Sequence, residues 1–346
     1  MLNWGSQMLA KLILYIMDKK IFLLFFALVT SMCVKAQKVD YSVVSVPEES
    51  GIEFLQVSAI NDNVCMPLVK RNKSGVSWVT NQIIDISPDG KQLAYLSWRN
   101  NSSNIFIKML DKQGVSVQRT NRSLVQDFSY SPDGKLICFS EKRGKNTQIF
   151  VTDANNGYVC RQITSDNEDY SPVYTYDMSQ IIFARKELQN ISVWSYDVKN
   201  NFLSSYVQGM NPCCTDEPNT IICSRTNAQG RSEIWKVNYV DGVEECIISD
   251  PYCSYTSPRL SPDGKWILFV GGSKIVSGKI VYYNTDVYVA RTDGSEFMQL
   301  TYHAADDLSP IWSRDGKFIY FVSQRGSKDG NANIWRMTFN PSLSIY

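Results

Sequence analysis

The chain has 346 residues, and its 35 Lys and Arg nearly balance 34 Asp and Glu, for a formal net charge of +1. With 44% hydrophobic and 20% charged residues it is globular in composition, neither disordered nor collagen-like. The near-neutral balance argues against a nucleic-acid binder, which carries a basic face, and one histidine, His303, excludes a multi-histidine metal site.

Met17-Asp18-Lys19-Lys20 precedes an apolar run at residues 21–29. Val34-Lys35-Ala36 then places compact residues three and one positions before a cut ahead of Gln37. This charged, apolar and cleavage order is that of a secretory signal peptide. Residues 1–36 are therefore expected to be removed and the mature chain to be periplasmic or secreted, with no transmembrane segment. Nine apolar residues are too few to cross a bilayer, which takes about 20. A longer anchor over residues 9–29 would place Asp18, Lys19 and Lys20 in mid-span, at about 2.5–3.5 kcal/mol each. The layout is complete without residues 1–16, which makes Met17 a candidate start. Lipid attachment at Cys33 is disfavoured by Met32 just before it. Cleavage leaves 310 residues, 31 basic and 33 acidic, a balance that steers the chain neither to DNA nor to an anionic membrane.

Residues 37–80 follow, with strands expected at 41–46 and 52–57. Residues 61–80, with Pro67, Asn72 and Trp78, faintly imitate the unit that comes next.

From residue 81 to 346 that unit is repeated. Ser87-Pro88-Asp89-Gly90-Lys91 recurs at Ser131-Pro132-Asp133-Gly134-Lys135 and Ser261-Pro262-Asp263-Gly264-Lys265, with a near copy at Ser313-Arg314-Asp315-Gly316-Lys317. Thr175-Tyr176-Asp177-Met178-Ser179 and Cys214-Thr215-Asp216-Glu217-Pro218 are degenerate copies. The anchor aspartates are spaced by 44, 44, 39, 47 and 52 residues, periods that suit a four-stranded propeller blade. Pro and Asp-Gly make a tight turn. After it comes a strand apolar on both faces, as in Leu93-Ala94-Tyr95 or Ile267-Leu268-Phe269, which implies burial between neighbouring sheets. A third strand brings an aromatic at Phe106, Phe150, Trp194, Trp235, Tyr288 and Trp335, which lie 17, 17, 17, 19, 25 and 20 residues after their aspartates. A sheet this short cannot bury both faces alone, so the units must stack. The expectation is an all-β fold: a six-bladed β-propeller of four-stranded antiparallel blades, its ring closed by the strands of residues 37–80. A seventh blade built on 61–80 is the alternative.

The anchors, the Arg-Gly loops, the Ile-aromatic strands and the closing Arg161-Gln162-Ile163-Thr164 and Met298-Gln299-Leu300-Thr301 resemble the TolB-type β-propeller over roughly residues 81–340. TolB itself carries an α/β domain before the propeller and contacts the peptidoglycan-associated lipoprotein in the cell envelope. Only residues 37–80, without a βαβ pattern, precede the first clear anchor here. The resemblance implies an envelope protein or a peptidoglycan-associated component as partner. Similar blades also form the non-catalytic half of prolyl-oligopeptidase-type enzymes, whose serine sits in a G-x-S-x-G elbow. The nearest fragments, Gly230-Arg231-Ser232-Glu233-Ile234 and Gly271-Gly272-Ser273-Lys274-Ile275, lack the final glycine.

Residues present in most copies serve the blade, whereas residues of one copy are candidates for a site. The anchor aspartates and Arg99, Arg143 and Arg325 belong to the first class, with turn amides and pairing within a blade as their work. Asp169 and Asp307 stand eight residues before their anchors, where the chain begins the innermost strand beside the channel; they are either turn caps or ligand contacts. His303 and Tyr302 are on the same approach. A long loop in the fifth unit carries Tyr282 and Tyr283, aromatics suited to recognition. Cys213, Cys214, Cys246 and Cys253 are free to form disulfides after export. No C-x-x-C or other cofactor or metal motif is present. The leading expectation is a non-enzymatic scaffold that binds through its channel mouth. The alternatives are a hydrolase or lyase acting on glycans or peptides through Asp169, Asp307 and His303, and a passive structural module.

Overall fold

The computed structural model describes residues 41–67, 69–72, 75–79, 82–111, 115–188, 190–277 and 280–341. The expected leader and Cys33 lie outside them. Four-stranded antiparallel sheets follow one another along the chain. The first comprises Ile84–Ile86, Gln92–Arg99, Ser102–Met109 and Val117–Gln118. The second comprises Val125–Tyr130, Leu136–Arg143, Asn146–Asp153 and Val159–Gln162. Glu168–Tyr174, Gln180–Lys186, Ile191–Asp197 and Phe202–Gln208 form the third, joined to the second by the single parallel pair Thr147–Glu168. The fourth is Met210–Cys214, Thr220–Thr226, Ser232–Asn238 and Val243–Ile248. The fifth is Cys253–Leu260, Trp266–Ser277, Ile280–Arg291 and Met298–Gln299. The sixth has Asp307–Trp312, Phe318–Ser323 and Asn333–Thr338, and takes its outermost strand, Phe54–Gln56, from the other end of the sequence. Phe54 pairs with Met337, Leu55 with Arg336 and Gln56 with Trp335.

The anchors make one turn five times over. The Ser or Thr hydroxyl donates to the aspartate, at 2.5 Å for Ser87–Asp89 and 2.7 Å for Ser131–Asp133. The same aspartate accepts the backbone N–H two residues on, as in Lys91 and Lys135, both at 3.1 Å. Asp177, Asp263 and Asp315 repeat the pattern. The glycine of the full copies has φ near +70° (Gly90 +73°, Gly316 +70°), which a side chain resists.

Each of the six anchors is followed by a buried strand whose central residue (Tyr95, Phe139, Phe183, Cys223, Phe269, Phe321) is sealed from solvent. Over the aromatic column of the third strands lie arginines: Arg99 sits 4.2 Å from the Phe106 ring, Arg143 4.6 Å from Phe150, Arg185 4.4 Å from Trp194 and Arg225 5.1 Å from Trp235, a cation–π arrangement. The fifth sheet is elongated because its second and third strands each run twelve residues. Gly271 there lets the Tyr288 and Tyr255 rings close in, since a Cβ would stand 2.3 Å from Tyr288 Cε2.

The first strands of successive sheets contact one another in chain order, and that of the sixth contacts that of the first. Polar stitches follow the same order. Asp85 of the first sheet accepts the Tyr130 N–H of the second at 2.9 Å. Asp127 of the second accepts the Ser171 N–H of the third at 3.0 Å. Thr256 of the fifth donates to Asn211 of the fourth at 3.0 Å, and Trp312 of the sixth to the Arg259 carbonyl of the fifth at 3.2 Å. Arg314 donates to the carbonyls of Ile86 (2.5 Å) and Ser87 (3.2 Å) of the first sheet.

Two expectations before residue 81 change. Residues 41–46 form no strand, because Pro47 opens the short helix Pro47–Glu49 and their carbonyls serve the sixth sheet instead: Val43 accepts the Gly326 N–H and Val44 the Arg325 guanidinium. Val69–Asn72 and Gly75–Val79 pair only with each other and lie against the first two strands of the fifth sheet.

Candidate functional site

Four of the first strands carry the same bulge. The ladder slips between Tyr170 and Val173, Met210 and Cys213, Thr256 and Arg259, and Leu308 and Ile311. At each slip a residue just before a proline takes positive φ: Ser171 (+53°), Asn211 (+50°), Ser257 (+58°) and Ser309 (+50°). A bulge re-aims the side chains after it, and here those residues turn towards a cavity of about 280 Å³ where all these strands run into their turns. It lies at the finishing end of the innermost strands. A wider cleft of about 660 Å³ sits outside, between the first and sixth sheets. It gathers side chains of two sheets and the outermost strand, whereas the channel cavity gathers side chains of all six sheets.

Four residues before the anchor aspartates, the channel column reads Asp85, Ser129, Val173, Pro212, Arg259 and Ile311. Asp85 and Asp127 are occupied by backbone and hydroxyl donors, and burial raises both carboxyls, Asp127 to about 6. Arg259 stands among them, and burial lowers its guanidinium while nearby Cys213, Asp85 and Asp127 oppose that. Its single hydrogen bond as a donor is from Nη1 to its neighbour's carbonyl, Pro258, at 2.7 Å, so the rest of its five-donor fork has no carboxylate within pairing distance among the described residues. Arg314 also lines the cavity, where the other full anchors have proline, and Tyr174, Tyr176 and Trp312 add aromatic surface. The arrangement can hold an anionic group against apolar walls.

The residues singled out from sequence are placed elsewhere. Asp169 is sealed, with Arg185 bound bidentately at 2.7 and 3.0 Å; burial raises its carboxyl against the pull of Arg185. Asp307 is sealed and bound by Arg325, which also grips Glu49 at 3.0 and 3.1 Å. Burial pushes Asp307 up to about 6. The His303 ring is 1% exposed and accepts the Ala305 N–H on Nδ1 at 2.9 Å. Tyr302 is 41% exposed, and its N–H donates to Glu49 at 2.9 Å. Asp307, His303 and Tyr302 thus gather with Glu49, Arg325 and Asn284, whose amide donates to the His303 carbonyl at 3.0 Å. Asp169 belongs to another sheet. Both aspartates begin their strands, at the opposite end from the cavity. Tyr282 and Tyr283 pair in the fifth-sheet hairpin with Ile275 and Lys274. Arg259, Arg314, Glu49 and Asp286 were not among the sequence candidates. Arg314 had left a signal, as the one arginine at an anchor's proline position.

Cys213, Cys214, Cys246 and Cys253, the cysteines left open to disulfide formation, are free thiols in the structure. Cys213 and Cys246 sit on the first and last strands of one sheet, about 14 Å apart at ordinary strand spacing, beyond the roughly 7 Å a disulfide tolerates. Among the described residues, no three His, Cys, Asp or Glu side chains are grouped to hold a metal ion, and no helix is long and apolar enough to cross a membrane.

Comparison with known proteins gives a match to the TolB beta propeller domain over residues 70–242. A putative TolB from Agrobacterium tumefaciens is similar in structure, at 19% identity and a TM-score of 0.57, over 77% of this chain and 93% of that one. TolB from Acinetobacter baumannii matches at 16% identity and a TM-score of 0.57, over 72% of this chain and 64% of its own length. Oligogalacturonate lyase from Vibrio parahaemolyticus matches at 13% identity and a TM-score of 0.53, over 84% and 98%. At these identities the likeness is one of fold.

Proposed function

The chain belongs to the TolB β-propeller family, and from that premise we propose that it is an exported, non-enzymatic scaffold that binds a protein or another envelope component at its channel mouth. In this reading residues 1–36 are a signal peptide, residues 37–80 close the structure and residues 81–346 form six blades of one ring, sealed where Phe54–Gln56 completes the last sheet. Supporting the ring is the order of contacts between first strands, which returns from the sixth sheet to the first. Binding is carried by one observation: a cavity lined from all six sheets holds an arginine that, among the described residues, is paired with no carboxylate, beside the exposed ring of Tyr176. The alternative, a hydrolase or lyase of glycans or peptides, would draw on Asp169, Asp307 and His303. Bidentate arginine pairing of Asp169, and the Arg325–Glu49 grip around Asp307, favour structural work for these groups.

The test is retention of an envelope component by the immobilised mature chain, followed by its identification and rebinding in purified form. Tyr176 is 57% exposed at the rim, so Tyr176→Asp should fold normally and abolish rebinding. Rebinding at unchanged affinity, or no retained component at all, would overturn the scaffold reading.

A further inference from the structure

We propose that the channel mouth selects a carboxylate carried by a partner peptide, with Arg259 as its ion-pair partner and Arg314 as a second cation at the rim. This deepens the scaffold reading and rests on it. The charge arithmetic of the cavity points this way. Asp85 directs its two oxygens to the N–H groups of Ile86 (2.8 Å) and Tyr130 (2.9 Å), and Asp127 accepts from the Ser140 hydroxyl and the Ser171 N–H. Both acids are used in holding neighbouring strands together. Among the described residues the Arg259 guanidinium is left with one hydrogen bond, to a backbone carbonyl, and Arg259 lines the cavity. A partly buried arginine in this state gains from a planar two-oxygen acceptor, which a carboxylate supplies.

The walls favour a peptide as the carrier. Pro88, Pro132 and Pro262 of three anchors ring the cavity with Tyr176 and Trp312. Two serine hydroxyls at the cavity that a sugar or phosphate would use are engaged, Ser129 donating to the Pro172 carbonyl at 2.8 Å and Ser131 to Asp133 at 2.7 Å, which leaves the Tyr130 hydroxyl as a neutral donor beside the cations. A volume of about 280 Å³ falls at the small end of ligand pockets, which start near ~300 Å³, and suits the end or one side chain of a peptide. Arg314 marks the site as specific to one copy, since three other anchors keep proline there.

Fluorescence-labelled degenerate hexapeptides, titrated against the full mature chain, test this in four sets: with Glu or with Gln, each as the free acid or the C-terminal amide. The set with neither carboxylate should bind about tenfold more weakly than the others, the equivalent of one charge-assisted hydrogen bond. Comparison of the two single-carboxylate sets tells a chain terminus from a side chain. Arg259→Gln should remove the carboxylate preference and leave the fully neutral set unchanged. Arg314→Pro, which restores the residue of the other anchors, should reduce the preference and also lower the thermal midpoint, because it gives up the hydrogen bonds to the Ile86 and Ser87 carbonyls. Equal binding of all four sets would overturn the inference, as would an unchanged preference in Arg259→Gln. Displacement of the peptides by inorganic phosphate or galacturonate oligomers at lower concentration would overturn the peptide assignment. An envelope component that rebinds Arg259→Gln fully but not Tyr176→Asp would sink the carboxylate alone and leave the scaffold standing.

Discussion

Burial raises Asp286 to about 9, and the neighbouring Asp307 charge adds to the effect. Asn284 and Gln299 donate to its Oδ2 at 3.0 and 3.2 Å, and its Oδ1 meets the Thr301 hydroxyl at 3.5 Å, neutral donors that bring no positive charge to hold the carboxylate ionised. In the unfolded chain the same carboxyl loses its proton near pH ~3.9. Between these values the folded state binds the extra proton, so unfolding releases it. The contribution to stability is whole below about pH 4 and is lost as pH rises through 9. Asp127 and Asp307, both raised to about 6, act in the same sense over the lower part of that range. Asp286→Asn has no proton to lose. Urea midpoints should show it more stable than the parent at pH 8 by over about 1.4 kcal/mol, the worth of one pKa unit, and equal at pH 4. An unchanged slope between pH 6 and 8 would mean that Asp286 is ionised and paired.

At the scale of the element, two short devices are reused: the Ser-x-Asp-Gly turn and the bulge before a proline. Each copy that departs from the pattern shows what the pattern is for. The third anchor keeps its Thr175–Asp177 hydrogen bond at 2.6 Å but carries Met178, at φ +58°, where Gly90, Gly134, Gly264 and Gly316 stand in four other copies. A side chain in that region costs about 1–2 kcal/mol. Met178 also packs against the second and third sheets, which offsets part of the gain on its removal. Met178→Gly should still raise the unfolding midpoint, by a free energy of about 1 kcal/mol; a lower midpoint would show that the packing outweighs the strain.

The whole molecule depends on a contact between chain regions nearly 280 residues apart. Phe54–Gln56 covers the edge of Asn333–Thr338, Phe54 lies under Arg325 at 4.5 Å, and Glu49 completes the Arg325 pairing with Asp307. A chain starting at residue 58 loses all three, and breaking a buried ion pair costs about 3–5 kcal/mol. Compared with a chain starting at residue 37, it should melt at lower temperature and run partly as aggregates on size exclusion, because the bared strand edge invites pairing. Matching midpoints and a monomer peak would show that the seam carries little of the stability.

Much of this was legible in the sequence, because a repeat prints its turn and its apolar strands once per copy: the Asp89 and Asp133 turns and the sealed column from Tyr95 to Phe321 follow from local chemistry. The outermost strand supplied by residues 52–57 was legible too, since the last unit is short of one. Asp307 and His303 were singled out from the sequence, but Arg325 and Asn284 reach them from a neighbouring turn and strand and Glu49 from more than 250 residues away, and only folding could reveal that cluster. The cavity eluded the sequence for a related reason. The bulges at Ser171 and Ser257 change which side chains face the channel, and a period-two reading cannot foresee such a slip. Local hydrogen bonding and alternation, which need only near neighbours, were thus set by the sequence alone. Where an arginine is left without a carboxylate partner among the described residues was decided by tertiary structure, since it depends on what distant strands leave unsatisfied where they meet.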